Sequence, residues 1–143
     1  MTVQLSTHFT LDEFTFSQTA ARLGLDNSPP PEVLKCLGTT ALGMEAVRKV
    51  LGSCPINISS GYRAPAVNAA VGGAKNSQHL TGQACDFTAP RFGTVQQVFD
   101  AIKASGIGYD QLIVEFGRWV HVSFSALPRR QALVIDANGT RSA

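Results

Sequence analysis

The run Trp119-Val-His-Val-Ser-Phe124 alternates strictly, with Val120, Val122 and Phe124 on one side and Trp119, His121 and Ser123 on the other. That is the period of a half-buried β-strand. The apolar side must turn to a core, so His121 must line a polar cleft. Upstream, Ser77-Gln-His-Leu-Thr-Gly-Gln-Ala-Cys-Asp-Phe87 sets His79, at the end of a loop, and Asp86, on a predicted strand, either side of Gly82, where the backbone can bend. The chain has three histidines, and two of them fall in these segments. Two imidazoles and one carboxylate are three of the four ligands that a catalytic zinc takes, and the fourth position is left to water.

The rest of the chain supplies a scaffold. Thr10 stands three positions before Glu13, the spacing of a capping box, and predicts a short helix. Asp26-Asn-Ser-Pro-Pro-Pro31 breaks regular structure. Pro30 or Pro31 opens the next helix, since a missing N–H is harmless in a first turn. From Glu32 to Leu51, the residues Val33, Leu37, Ala41, Met44, Val47 and Leu51 recur at helical spacing, and Gly52 ends the run. Ile56–Ser59 and Ala84–Thr88 read as strands. Ala64–Val71 reads as a helical turn, and Thr94–Ser105 as an amphipathic helix. Asp110–Phe116 and Trp119–Phe124 form a predicted hairpin around Gly117-Arg118, and Ala132–Ile135 an edge strand. The expected fold is α+β: a small antiparallel sheet carrying the site, packed against two or three helices. A length of 143 residues suits one domain. It divides into an N-terminal arm (1–31), a core bearing the site (32–126) and a C-terminal tail (127–143).

Composition narrows the class of partner. The formal net charge is +2 and no run of Lys or Arg occurs, so nothing recommends a nucleic-acid ligand. Cys36, Cys54 and Cys85 are odd in number and irregularly spaced, which argues against a disulfide framework and for small buried hydrophobes. No apolar stretch is long enough to span a bilayer. The first residues, Met1-Thr-Val-Gln-Leu, lack the basic and apolar regions of a signal peptide. The chain is therefore expected to be made in the cytoplasm, to act as a monomer, and to reach any external substrate by other means of delivery.

Taken together, Ser60-Gly-Tyr-Arg63, Ser77-Gln-His79-Leu-Thr-Gly82-Gln-Ala84-Cys-Asp86 and Trp119-Val-His121-Val-Ser resemble the zinc D-alanyl-D-alanine carboxypeptidases and related peptidoglycan peptidases. Their superfamily also includes the lysostaphin-type endopeptidases and the Hedgehog signalling domain. The resemblance runs from about Leu5 to Phe124, and His8–Asn27 is similar to the opening of a subgroup common in phages and prophages. It implies Zn2+ as cofactor, held by His79, Asp86 and His121, and peptidoglycan peptide as substrate. It implies that Arg63 faces the substrate, clamping a carboxylate or stabilising an oxyanion. Ser77 matches a position that hydrogen-bonds substrate, or else orders its loop. Tyr62 and Trp119 are candidates to wall the cleft; His8 lies outside the motifs and reads as structural or exposed.

The general base departs from the common pattern. Many relatives carry an acid three positions before the last histidine ligand, and here that position is Arg118, which cannot accept a proton. Glu115 lies six positions before His121, as in the Hedgehog domain, and a three-residue turn would set the two opposite each other across the strands. Glu115 is therefore the expected base, with Asp110 a weaker substitute. The function this implies is a zinc metallopeptidase cutting peptidoglycan stems, as a D,D-carboxypeptidase or an endopeptidase, in phage or prophage lysis or in wall trimming. The alternative is a non-catalytic, zinc-containing module that binds cell wall or protein.

Overall fold

The computed structural model describes residues 2–143. Six strands form one sheet: β1 (Asn57–Ser60), β2 (Ala84–Thr88), β3 (Gln111–Glu115), β4 (Trp119–Ser123), β5 (Gln131–Asp136) and β6 (Gly139–Ser142). Their order is β1-β2-β4-β3-β5-β6. Every neighbouring pair is antiparallel except β3 and β5, which run parallel. Five helices accompany the sheet: α1 (Leu11–Thr15), α2 (Gln18–Leu23), α3 (Pro31–Val50), α4 (Pro65–Ala70) and α5 (Val95–Ser105). The architecture is the expected α+β.

Period-two alternation divides the sheet into a dry face and a wet face. Cys85 and Phe87, Val120 and Val122, and Leu112 and Val114 are buried on the dry side. There they join Val33, Leu37, Ala41, Met44 and Val47 of α3 and Val98, Phe99 and Ile102 of α5 in one core. The pleat points the intervening residues the other way. Asp86, His121 and Ile113 thus stand side by side across β2, β4 and β3 on the wet face. Helix α3 starts with Pro31 at its first position and ends with Arg48 and Lys49 in its last turn, where cations favour the helix dipole. Helix α5 is closed by a Thr94–Gln97 capping box and by Gly106 in the left-handed conformation.

Three expectations need correction. Residues 2–31 do not stand apart as an arm. Phe9 and Phe14 are buried in the main core, and His8 pairs with Glu45 of α3 at 2.7 Å. The segment also contains an unforeseen helix, α2, capped by the Ser17 side chain and ended by Gly24 at φ +67°. Second, residues 127–143 are no loose tail. They form β5 and β6, which extend the sheet, so the Ala132–Ile135 segment is an interior strand and β6 takes the edge. Third, the three-residue β3–β4 turn is Phe116-Gly117-Arg118, so Glu115 pairs with Trp119 and does not stand opposite His121, whose partner is Ile113. Phe116 and Gly117 both adopt positive φ there.

If the N-terminal segment is an integral part of the core, Phe14→Ala should cost about 3–5 kcal/mol in a urea titration, the usual loss for a fully buried aromatic. A loss below about 1 kcal/mol would mark a detachable segment instead.

Candidate metal centre

His79, Asp86 and His121 converge. One ligand-capable atom from each lies within 4.8 Å of the other two, and all three residues are buried. Asp86 Oδ1 is 2.9 Å from His121 Nδ1 and 3.4 Å from His79 Nε2. Two strands and a loop deliver these groups. The β2–β4 register sets Asp86 directly opposite His121. A bulge at Ser59 in β1 interrupts pairing beside Asp86, and the Ser59 hydroxyl donates to the Asp86 carbonyl at 3.2 Å.

His79 is fixed from the other side. Its Nδ1 lies 2.7 Å from the Gly61 carbonyl oxygen. A carbonyl can only accept, so Nδ1 carries the proton and Nε2 presents its lone pair toward Asp86. The loop reaches this position through Gly82, whose φ is +76° and whose missing Cβ leaves room for Val33 and Leu37 of α3. Thr40 of α3 holds the Gly82 carbonyl at 2.6 Å. Gly61 is equally constrained, since a Cβ there would run into the backbone of Phe14.

The donor set suits zinc. Nitrogen, nitrogen and carboxylate oxygen are ligands of this ion, and bonds of about 2.0–2.1 Å imply ligand–ligand edges of roughly 3.3 Å in a tetrahedron. The 3.4 Å and 2.9 Å separations are of that order. The Gly61 carbonyl behind His79 is the outer partner that metal-binding imidazoles usually have. Burial raises the Asp86 pKa, but its contacts with the His121 and His79 imidazoles outweigh it, and the carboxyl is held well below its ordinary range.

The three groups lie in a cleft of about 700 Å³, which Arg63, Ser77, Glu115, Phe116 and Trp119 also line. Glu115 Oε1 is 3.4 Å from His121 Nδ1. The approach is diagonal, since the residue facing His121 across the strands is Ile113 and not Glu115. Burial, then the charge of Asp86, raises the Glu115 pKa. The two imidazoles oppose the shift, as does the Trp119 indole, which lies close by but outside hydrogen-bonding geometry.

Arg63 enters the same cleft. Its Nη2 is 3.3 Å from Ser77 Oγ, and its Nε is buried with no partner among the described residues. Burial lowers its pKa, while Asp86 and Glu115 raise it. The Arg63 backbone N–H donates to the His79 carbonyl at 3.0 Å. Asn27 grips the chain on both sides of it, donating to the Tyr62 carbonyl at 3.0 Å and accepting from the Ala64 N–H at 2.7 Å. Ser77 Oγ also accepts from the His79 N–H at 3.2 Å, so this side chain orders the loop that bears the ligand.

Several sequence candidates fall elsewhere. Tyr62 is buried in the core and does not line the metal cleft. Asp110 is no substitute base, because Arg129 and Gln78 occupy its carboxylate. Cys85 is buried, and burial raises its thiol pKa well above the usual value. Cys36 and Cys54 are only partly buried. The residues that pattern reading missed are Asn27, Gln78, Phe116 and Arg129. Phe116 is half-exposed and packs near Trp119, with ring centroids 6.0 Å apart. Its place in a three-residue turn was the only signal available.

A buried two-histidine, one-carboxylate cluster on the wet face of a small sheet, opening to a cleft, is the arrangement of a mononuclear metallohydrolase. The family described as Peptidase M15 matches residues 7–123, and the chain belongs to that family. Among curated proteins, the chain is similar to the zinc D-Ala-D-Ala carboxypeptidase of Streptomyces albus G, at 41% identity over 46 residues. That stretch is 32% of this chain and 18% of the relative, so the likeness spans less than a fifth of that protein's length.

Two outcomes test this geometry. His121→Ala should purify without stoichiometric zinc by elemental analysis, while Ser125→Ala, outside the cleft, retains it. Separately, hydrogen bonds from Arg129 hold the Asp110 pKa down at about 2, against about 3.9 when unfolded. A depressed carboxyl stabilises the fold above the unfolded value and ceases to do so as pH falls through the folded one. The stability advantage of metal-free wild type over Asp110→Asn should therefore shrink between about pH 4 and pH 2 in urea titrations. An advantage that stays constant over that window would show that the pair does not contribute.

Proposed function

We propose that this chain is a zinc peptidase that hydrolyses peptide bonds in the stems of bacterial peptidoglycan, as a D,D-carboxypeptidase or as a stem or cross-link endopeptidase. The single observation that carries the reading is the convergence of His79, Asp86 and His121 beside a buried Glu115 in an open cleft. Membership of the Peptidase M15 family and the likeness to a zinc D-Ala-D-Ala carboxypeptidase support it.

His79 Nε2, His121 Nδ1 and Asp86 would hold the ion, which when bound supplies Lewis acidity toward a carbonyl oxygen and a water molecule. Glu115 does the proton work. A carboxylate whose pKa is raised by burial is a stronger base than one in water. It takes a proton as water attacks the scissile carbonyl and returns it to the leaving amine. Arg63 lines the cleft, where its guanidinium charge would meet a substrate carboxylate or a developing oxyanion. Ser77 keeps Arg63 and His79 in one frame. Phe116 and Trp119 form an apolar wall beside the base. On the resemblance of the His8–Asn27 segment, the setting is phage or prophage lysis or wall trimming.

Glu115→Gln should keep bound zinc and lose hydrolysis by about 10²–10⁴-fold. The measurement is mass spectrometry of products from purified peptidoglycan fragments, which also locates the bond cut. Full turnover by Glu115→Gln would remove this residue from the mechanism. Tight binding of fragments by wild type with no product at all would favour the non-catalytic binding module.

A further inference from the structure

Asp110 stands where three parts of the molecule meet. Its backbone N–H donates to the Ser123 carbonyl at the end of β4 at 2.7 Å, and its own carbonyl accepts from the Gln131 N–H at the start of β5 at 2.9 Å. Its side chain is buried, in a residue only 2% exposed. The carboxylate accepts from Gln78 Nε2 at 2.8 Å. It also accepts from Arg129 three ways: the backbone N–H at 2.7 Å, Nε at 3.0 Å and Nη2 at 2.7 Å. The guanidinium thus binds both carboxylate oxygens, and Nη2 lies 3.4 Å from Gln78 Oε1 as well. Gln78 immediately precedes His79 in the chain, and Ser123 follows His121 by two positions. Arg129 lies beyond the residues 7–123 that match the family.

The loop bearing His79 needs such a tie. It contains Gly72 and Gly73 and is built of turns between α4 and β2. Most of its other anchors run to one side of the site: Asn68 of α4, Gly61 and Arg63 after β1, and Thr40 of α3. The strands that carry His121 and Glu115 lie on the other side. Gln78 reaches across to them through Asp110; past the ligand, among the described residues, only the Phe124 N–H to Gln83 carbonyl bond does the same.

We propose that Arg129, acting through Asp110 and Gln78, is a positioning residue for the metal centre: it fixes the His79 loop against the strand bearing His121. The segment after β4 is on this account a working part of the site and not only an added hairpin. The inference rests on the zinc reading of the cluster. A lysine cannot replace Arg129, because an ammonium group lacks the planar fork that spans both carboxylate oxygens.

The test is the zinc dissociation constant of the metal-free full chain, by competition with a chromophoric chelator, together with the melting temperature of the same metal-free protein. Gln78→Ala removes only the bond toward the loop and leaves the Asp110–Arg129 pair. It should weaken zinc binding at least tenfold, the usual effect of losing an outer-shell partner, with little change in melting temperature. Arg129→Lys and Arg129→Ala should weaken zinc by a similar factor. The double variant Gln78→Ala/Arg129→Ala should bind zinc no more weakly than Arg129→Ala alone, because the two residues act in one chain of contacts. Wild-type zinc affinity in Gln78→Ala, with only thermal stability lost in the Arg129 variants, would reduce the cluster to a staple for the C-terminal hairpin and overturn the proposal. Should Arg129→Ala fail to fold, Gln78→Ala and Arg129→Lys decide the matter. Absence of zinc binding by wild type is a separate result, and it would remove the metal centre itself.

Discussion

The pairing of β2 with β4 determines the chemistry of the cleft, because it places Asp86 across from His121. That register is held by the opposite face of the same strands, where Cys85, Phe87, Val120 and Val122 are sealed in the core. A slip of one residue would turn every side chain to the other face. It would expose four apolar groups and drive a carboxylate and an imidazole into hydrocarbon, at a cost of several kcal/mol for each uncompensated polar group. The site is accurate because the core behind it is intolerant.

A second layer of constraint comes from segments far from the ligands in sequence. The Phe14 carbonyl accepts the Tyr62 N–H at 2.7 Å, which presses α1 against the backbone just after β1. There Gly61 turns its carbonyl to His79, and Asn27 brackets Arg63. Residues 2–31 therefore act on the cleft without lining it. Backbone carbonyls and one amide side chain orient both the imidazole and the guanidinium, leaving the charged ends free to face a ligand.

Much of the site was legible in the sequence, and the reason is local. Alternation in Trp119–Phe124 assigns each side chain to a face, and the spacing around Gly82 brings a loop histidine beside a strand aspartate. Glu115 was legible as an acid near His121, but its diagonal approach was not, because alternation gives the face of a strand and not its partner's register. The parallel pairing of β3 with β5 escaped for the same reason: Ala132–Ile135 reads as a strand, but nothing in it names its neighbour. Helix α2 carries both end signals, Ser17 and Gly24, yet its six residues are too few to show a period. The contacts of Asn27 with the backbone around Arg63, and of Gln78 with Asp110 and Arg129, span tens of positions, and no pattern of hydrophobicity records them.

The distance between Asp86 and His121 along the chain, 35 positions, has a consequence for biosynthesis. All of α5 and β3 lies between the two strands that pair. Closing so long a loop is entropically costly until the intervening elements have formed. A nascent polypeptide that has not yet released Trp119–Ser123 from the ribosome holds one imidazole and one carboxylate of the cluster, too few to retain a metal ion. Assembly of the three-ligand cluster is thus coupled to the addition of β4, and a chain that ends before β4 lacks the third ligand.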